Sequence, residues 1–381
     1  MRLHSQRLLN VVAALSLVAT TTAHAHTEAD PPFPPETEAA LQAIVDKHQA
    51  RTGAPGVLVG AWVPGRGTFV RAQGVGDIST GSPLHERDSV RVGSITKTFV
   101  STVVLQLVDE GRLSLKDRLA SYVPAIPYGE QITLRHLLGM TSGVANFLED
   151  PAFLEAYASD PRMAFSPSDA LAIARRHPPK FAPGEGFDYS ETNYFLLGLI
   201  VEQVTGLSVN EAIDRMIAQP LGLASTVLPT SAAMPEPFAH GYLPTLEGPQ
   251  DVTDQNPAVT WTAGAMVSNL EDLHVWTRAL ATGALLGPEL QTERLRWTAV
   301  PGGEPLDAKY GLGILSLAGF VGHNGGLPGY SSIAMYLPQA EATIIVLVNQ
   351  CTLDGGPADF LFYDIAGLLF PEQFPNLRGR P

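Results

Sequence analysis

Ser94-Ile95-Thr96-Lys97 stands just before an apolar helical run from Thr98 to Gly111. Residues three apart at the first turn of a helix share a face, so this spacing sets a hydroxyl beside an amine. An amine so placed can help remove the hydroxyl proton, which is what a serine nucleophile requires. A helix-capping serine followed by a solvated lysine has the same spacing. With 21 serines and five lysines in 381 residues, about 0.3 such matches arise by chance, so the tetrapeptide needs support from elsewhere.

Two further segments offer it. Phe187-Asp188-Tyr189-Ser190-Glu191-Thr192-Asn193-Tyr194 sets Tyr189 at the head of a helical pattern, Asn193 to Thr205. A phenol can relay a proton, although a tyrosine there can equally pack in the core with its hydroxyl satisfied. Gly322-His323-Asn324-Gly325-Gly326-Leu327-Pro328-Gly329-Tyr330 lies between two strand patterns. Its histidine is either a site residue or an ordinary member of a glycine-rich turn. A phosphate cradle is disfavoured, because no helix pattern follows the glycines.

The elements that must position these groups alternate in type along the chain. Glu36 to Arg51 is patterned as a helix, and Val57 to Val63 and Phe69 to Val75 as strands joined by the turn Pro64-Gly65-Arg66-Gly67. From Leu113 to about Ala281 the pattern is mostly helical, with pieces at Leu134 to Met140, Pro167 to Arg176, Asn193 to Thr205 and Asn269 to Ala281. Strand patterns return at Gly311 to Leu317, Ser331 to Leu337 and Thr343 to Val348, and a helix from Asp359 to Phe370 follows. The expected fold is therefore α+β: one antiparallel sheet built from both termini, flanked by helices, with a mostly helical lobe inserted.

Composition bounds the function. Hydrophobic residues make up 45% and charged residues 16% of the chain, as in a packed globular protein. Arg2 and Arg7, the apolar stretch Leu8 to Thr22 and Ala23-His24-Ala25 together read as an export signal cleaved after Ala25. Its loss takes the formal charge from −14 to −16, and so acidic a chain is unsuited to nucleic acid. No later apolar run reaches membrane length, so the expectation is a secreted or periplasmic protein without a membrane span after cleavage. The single cysteine, Cys351, ends an apolar strand pattern and reads as a packed, inert thiol. The ten histidines show no ligand-spaced cluster, and neither a metal nor another cofactor is expected.

Taken in order, the three segments resemble the penicillin-recognising serine hydrolases: class C β-lactamases, serine D-Ala-D-Ala carboxypeptidases, D-amino-acid amidases and β-lactamase-like carboxylesterases. The family motifs are Ser-x-x-Lys, Tyr-x-Asn and Lys/His-x-Gly on a sheet strand. The resemblance spans about Glu36 to Phe370 and extends to Arg91-Val92-Gly93, Leu105-Gln106-Leu107-Val108-Asp109-Glu110-Gly111, Thr141-Ser142-Gly143 and Tyr310-Gly311-Leu312-Gly313. It is strongest toward exported streptomycete-type carboxypeptidases. It implies a β-lactamase/transpeptidase-like catalytic domain over residues 26–381, with an α/β lobe at about 36–112 and 286–370 and a helical lobe at about 113–285.

The resemblance also implies roles. Ser94 attacks a carbonyl and forms an acyl-enzyme, Lys97 serves as base, and Tyr189 shuttles a proton to the leaving group. The backbone N–H groups of Ser94 and Gly326 form the oxyanion hole, with Gly326 on an edge strand beginning after His323. His323 lines the pocket, and Asn324, Gly325 and Trp261 contact substrate. Three departures shape the substrate expectation. Glu191 stands where the family has asparagine, and an ionised carboxylate beside Lys97 favours the ammonium. Either base duty moves to Tyr189 or Glu191, or activity falls; the alternative is that Glu191 turns away and Asn193 or water fills the gap. Asn324 and Gly326 replace hydroxyl residues, and Gly313-Ile314-Leu315-Ser316-Leu317 is an apolar wall where carboxypeptidases carry arginines.

The leading expectation is a D-alanyl-D-alanine carboxypeptidase or β-lactamase-like serine hydrolase. Its rival is a carboxylesterase or D-amino-acid amidase, which the departures favour. A third reading is a non-catalytic penicillin-binding or sensor module. The partner is a small-molecule or peptide substrate: an acyl ester, amide, D-amino-acid peptide or β-lactam.

Overall fold

The computed structural model describes residues 31–304, 306–351 and 356–374; the expected signal peptide, 1–25, and its cleavage point lie outside them. Nine strands form one sheet in the spatial order Ser82–Pro83, Gly67–Asp77, Gly56–Val63, Ala342–Val348, Tyr330–Leu337, Phe320–Leu327, Leu315–Leu317, Lys309–Tyr310 and Thr298–Ala299, antiparallel throughout. The first and last parts of the described chain meet at its centre, where Val57 pairs with Val348. No strand of this sheet comes from residues 84–297, which are mostly helical.

The two-residue period of the strands separates two cores. Val57, Val59, Ala61, Ile344, Val346, Ile333 and Met335 point to one face, which the helices Pro35–Thr52 and Pro357–Leu369 cover. Leu58, Ile345, Leu347 and Ala334 point to the other, toward the helices Thr96–Asp109, Thr192–Thr205 and Leu270–Thr282. The Thr96 helix is buried on nearly every side, with Phe99, Val100, Val103 and Val104 fully inside. Such a helix cannot shift without repacking the whole second core.

Two sequence expectations change. Gly311 to Leu317 is not one strand: Lys309–Tyr310 and Leu315–Leu317 flank a turn closed by Gly311 N donating to Ile314 O at 2.8 Å. Gly313 has φ +74°, and a Cβ there would lie 2.3 Å from Ser101, so the turn is pressed against the Thr96 helix. Conversely, the glycine-rich segment around His323 is strand, Phe320–Leu327, with Gly325 facing the turn that carries Ser94 and Gly322 pressed against Ala334 of the next strand. Turn-type residues occur in a strand here because another backbone approaches too closely for side chains.

His274, on the helix Leu270–Thr282, stacks on Trp62 of the sheet with ring centroids 3.9 Å apart. Burial, then Arg278, pushes its pKa down to about 4. Above pH 6.5 the ring is neutral folded or unfolded; below it the unfolded chain takes up a proton that the folded one refuses, so stability falls as the pH drops toward 4. We expect the thermal midpoint to fall between pH 7 and pH 5. His274→Phe, which keeps a ring on Trp62, should remove up to about 2 kcal/mol of that loss. An unchanged pH slope in the variant contradicts this assignment.

Candidate active site

Val90–Arg91 pairs with Val267–Ser268, and the chain then turns through Gly93–Ile95 into the Thr96 helix. Gly93 has φ +53°, and a Cβ on it would lie 2.8 Å from Gly326 N, so both its conformation and its neighbour require glycine. The turn is tied down by Thr96, whose Oγ1 donates to Gly93 O at 2.6 Å and accepts from Met266 N at 3.0 Å. Ser94 is only half-buried, whereas Lys97, one turn on, is wholly enclosed.

Nζ of Lys97 donates to Ser94 Oγ at 2.9 Å and to Ala263 O at 2.8 Å, and Glu191 Oε2 lies 2.5 Å away as its ion-pair partner. Burial pushes the Lys97 pKa below its ordinary value, and the Glu191 carboxylate works against that. Asn193 does not take Glu191's place: it accepts from Ser142 Oγ at 2.6 Å and donates to the Met140 sulfur, deeper in the helical region.

Tyr189 packs against the same amine, its ring centroid 4.8 Å from Lys97 Nζ. Burial and the charge of Glu191 drive its phenol pKa well above the usual value, against a hydrogen bond with Ser94. Tyr189 is therefore a neutral proton donor in the resting site, unsuited to act as a phenolate base. His323 is buried on the neighbouring strand, its ring 6.3 Å from that of Tyr189. Burial, then Lys97, lowers its pKa to about 3, so the imidazole is neutral.

The strand Phe320–Leu327 runs across the mouth of this cluster. Its first residues lie inside the sheet, since Leu315–Leu317 pairs with Phe320 to Gly322; from His323 onward only Tyr330–Leu337 pairs with it. The strand thus begins before His323, contrary to the sequence reading, and is an edge only beyond Gly322. A Cβ on Gly325 would lie 2.8 Å from Ser94 N and 2.1 Å from Val92 O. The backbone around Gly325 and Gly326 therefore passes directly against the Ser94 amide. Gly326 is itself exposed.

Ser94, Lys97, Tyr189, Glu191, His323, Gly325 and Gly326 thus gather at one place. Asn324 does not join them: strand alternation turns it to the opposite face, where Nδ2 donates to Asp359 Oδ1 at 3.0 Å. Trp261 turns away as well, with its ring edge-on to Phe195 at 5.5 Å. The expected apolar wall, Gly313 to Leu317, is largely core, since Ile314 and Leu317 are 0% and 5% exposed.

Three participants escaped the sequence reading. The Ala263 carbonyl has no sequence signal, and Tyr194 reads as an ordinary core position. Tyr310 reaches His323 only through sheet register, Tyr310 pairing with Leu315 and Leu315 with Gly322. Among the described residues, no group of three or more His, Cys, Asp or Glu is placed to hold a metal ion, and no single helix is long and apolar enough to cross a membrane.

Comparison with known proteins follows this geometry. The Beta-lactamase family model matches residues 41–365. Penicillin-binding protein 4* of Bacillus subtilis (strain 168) is 25% identical over 296 residues, 73% of this chain and 64% of that protein. The chain spans less than two thirds of the curated relatives it matches first, 62% and 64% of their lengths. A D-stereospecific amidohydrolase from a Streptomyces species is 31% identical, with a TM-score of 0.78 over 88% of this chain and 99% of that one. The D-amino acid amidase of Ochrobactrum anthropi SV3, solved with L-phenylalanine amide, is 25% identical, with a TM-score of 0.78 over 90% and 100%. A family match across most of the chain, on a fold shared at such coverage, leaves one conclusion: this protein belongs to the Beta-lactamase family of serine hydrolases.

Proposed function

We propose that this protein is an exported serine amidohydrolase that cleaves amide or ester bonds of neutral substrates, D-amino-acid amides and peptides foremost, through an acyl-enzyme on Ser94. The observation that carries the reading is the Lys97 amine, 2.9 Å from Ser94 Oγ and 2.5 Å from Glu191. In the reactive form Lys97 is an amine beside an ionised Glu191. As Ser94 Oγ attacks the carbonyl, its proton passes to Lys97, and the ammonium forms next to a carboxylate that stabilises it. The N–H groups of Ser94 and Gly326 receive the oxyanion, each worth about 2.7–4 kcal/mol of barrier in comparable sites. Tyr189, packed against the Lys97 amine, gives its proton to the leaving nitrogen or oxygen. In deacylation the Tyr189 phenolate takes a proton from the attacking water, and the Lys97 ammonium returns its proton to Ser94 Oγ as the acid leaves.

The likeness to a D-stereospecific amidohydrolase and a D-amino acid amidase supports the amide class. Asn324 being turned to Asp359 argues in the same direction, since that position offers a terminal carboxylate no partner. A second reading, a penicillin-binding carboxypeptidase, draws on the curated relatives.

Incubation with D-phenylalanine p-nitroanilide and with penicillin G, followed by intact mass spectrometry, separates these readings. We expect anilide turnover that Ser94→Ala abolishes, and little or no stable penicillin adduct. A long-lived adduct on Ser94 without anilide turnover supports the carboxypeptidase reading instead. The role of Glu191 has its own readout. Because its charge raises the Lys97 pKa, the acid limb of kcat/KM should move to lower pH in Glu191→Gln, while the plateau falls by about 10²-fold or more as the base weakens. An acid limb that stays in place rules out this coupling.

A further inference from the structure

The two ring nitrogens of His323 are both committed inside the protein. Nδ1 lies 2.5 Å from the backbone oxygen of Asn324. A carbonyl only accepts, so Nδ1 carries the proton and Nε2 is bare. Nε2 lies 3.1 Å from the hydroxyl of Tyr310, which must therefore donate to it. Tyr310 is 1% exposed, and the hydroxyl of its neighbour Tyr194 donates to Leu138 O at 3.3 Å, which leaves the Tyr310 proton for Nε2. Its ring meets that of His323 edge-on, centroids 5.6 Å apart, and that of Tyr189 at 5.9 Å.

We propose that Tyr310 is a specificity-determining positioning residue: by donating to Nε2 it fixes His323 as the neutral Nδ1–H tautomer, so the strand beside Ser94 carries no cation for a substrate carboxylate. This deepens the neutral-substrate reading above and rests on it. The surroundings support the lock. Lys97 faces His323 as a cation, and Arg294, fully buried with Nη2 donating to Thr102 Oγ1 at 2.7 Å, lies behind Tyr194. Glu191 is the acid of this cluster and is already paired with Lys97. A protonated His323 would be a further cation facing a hydroxyl whose proton already points at it. The lock therefore excludes the charged ring twice, by a donor that must reverse and by neighbouring positive charge.

Replacing Tyr310 by phenylalanine keeps the ring contacts and removes the donor. Histidine-selective 15N labelling, with His323→Gln to assign the signal among ten histidines, reads the tautomer directly. We expect His323 as Nδ1–H in the wild type, and a mixed or Nε2–H population in Tyr310→Phe. Kinetically, the ratio of kcat/KM for a D-alanyl-D-alanine amide to that for its free acid should narrow at least tenfold in Tyr310→Phe, through a lower KM for the acid. Wild-type His323 found charged or as Nε2–H overturns the proposal even if the variant fails to fold. An unchanged tautomer and an unchanged ratio in a folded variant overturn it too. A wild type inactive on both substrates counts against the proposed function, while the tautomer still decides the lock.

Discussion

Everything in the site depends on keeping one lysine amine out of water. Lys97 is completely enclosed on a helix that is itself core, and three oxygens surround Nζ: the Ser94 hydroxyl, a backbone carbonyl and the Glu191 carboxylate. Breaking such a buried pair by removing one partner typically costs 3–5 kcal/mol, roughly the scale of a catalytic effect. Burial pushes the amine toward neutrality and Glu191 pushes it toward charge. In the proposed mechanism that balance permits proton transfer at Ser94. The sheet, the Gly93 turn and the helical region can be understood as the means of bringing these four groups together.

The balance also shapes the remaining members. Buried, and with Glu191 nearby, Tyr189 stays a phenol and can only give a proton before it takes one. Buried, and with Lys97 nearby, His323 stays neutral and binds within the fold. Lys97 is paired with Glu191, which supports the proposed preference for a neutral acyl compound over an anion.

The sequence was informative where function rests on local spacing. Ser94 and Lys97 are one turn apart because a helix makes them so, and Tyr189 and Glu191 follow at a second helix start. The sheet was legible from short apolar runs at Val57 to Val63 and Thr343 to Val348, which fall within strands. The strand at His323 was harder, because its glycines serve close backbone approach and imitate a turn. Asn324 and Trp261 were misplaced for a related reason: adjacency in sequence does not fix which face of a strand, or which side of a turn, a side chain takes. Tyr310 depends on sheet register across two pairings, which no local pattern encodes.

The central claim is that Glu191 sets the proton affinity of Lys97. The chain has only five lysines, so a carbon-13 titration of the lysine Cε signals, assigned with Lys97→Met, can follow this amine directly. The account predicts that Lys97 titrates apart from the other four and that its midpoint moves to lower pH in Glu191→Gln. A midpoint that is the same in both proteins, or that coincides with those of the other lysines, contradicts it.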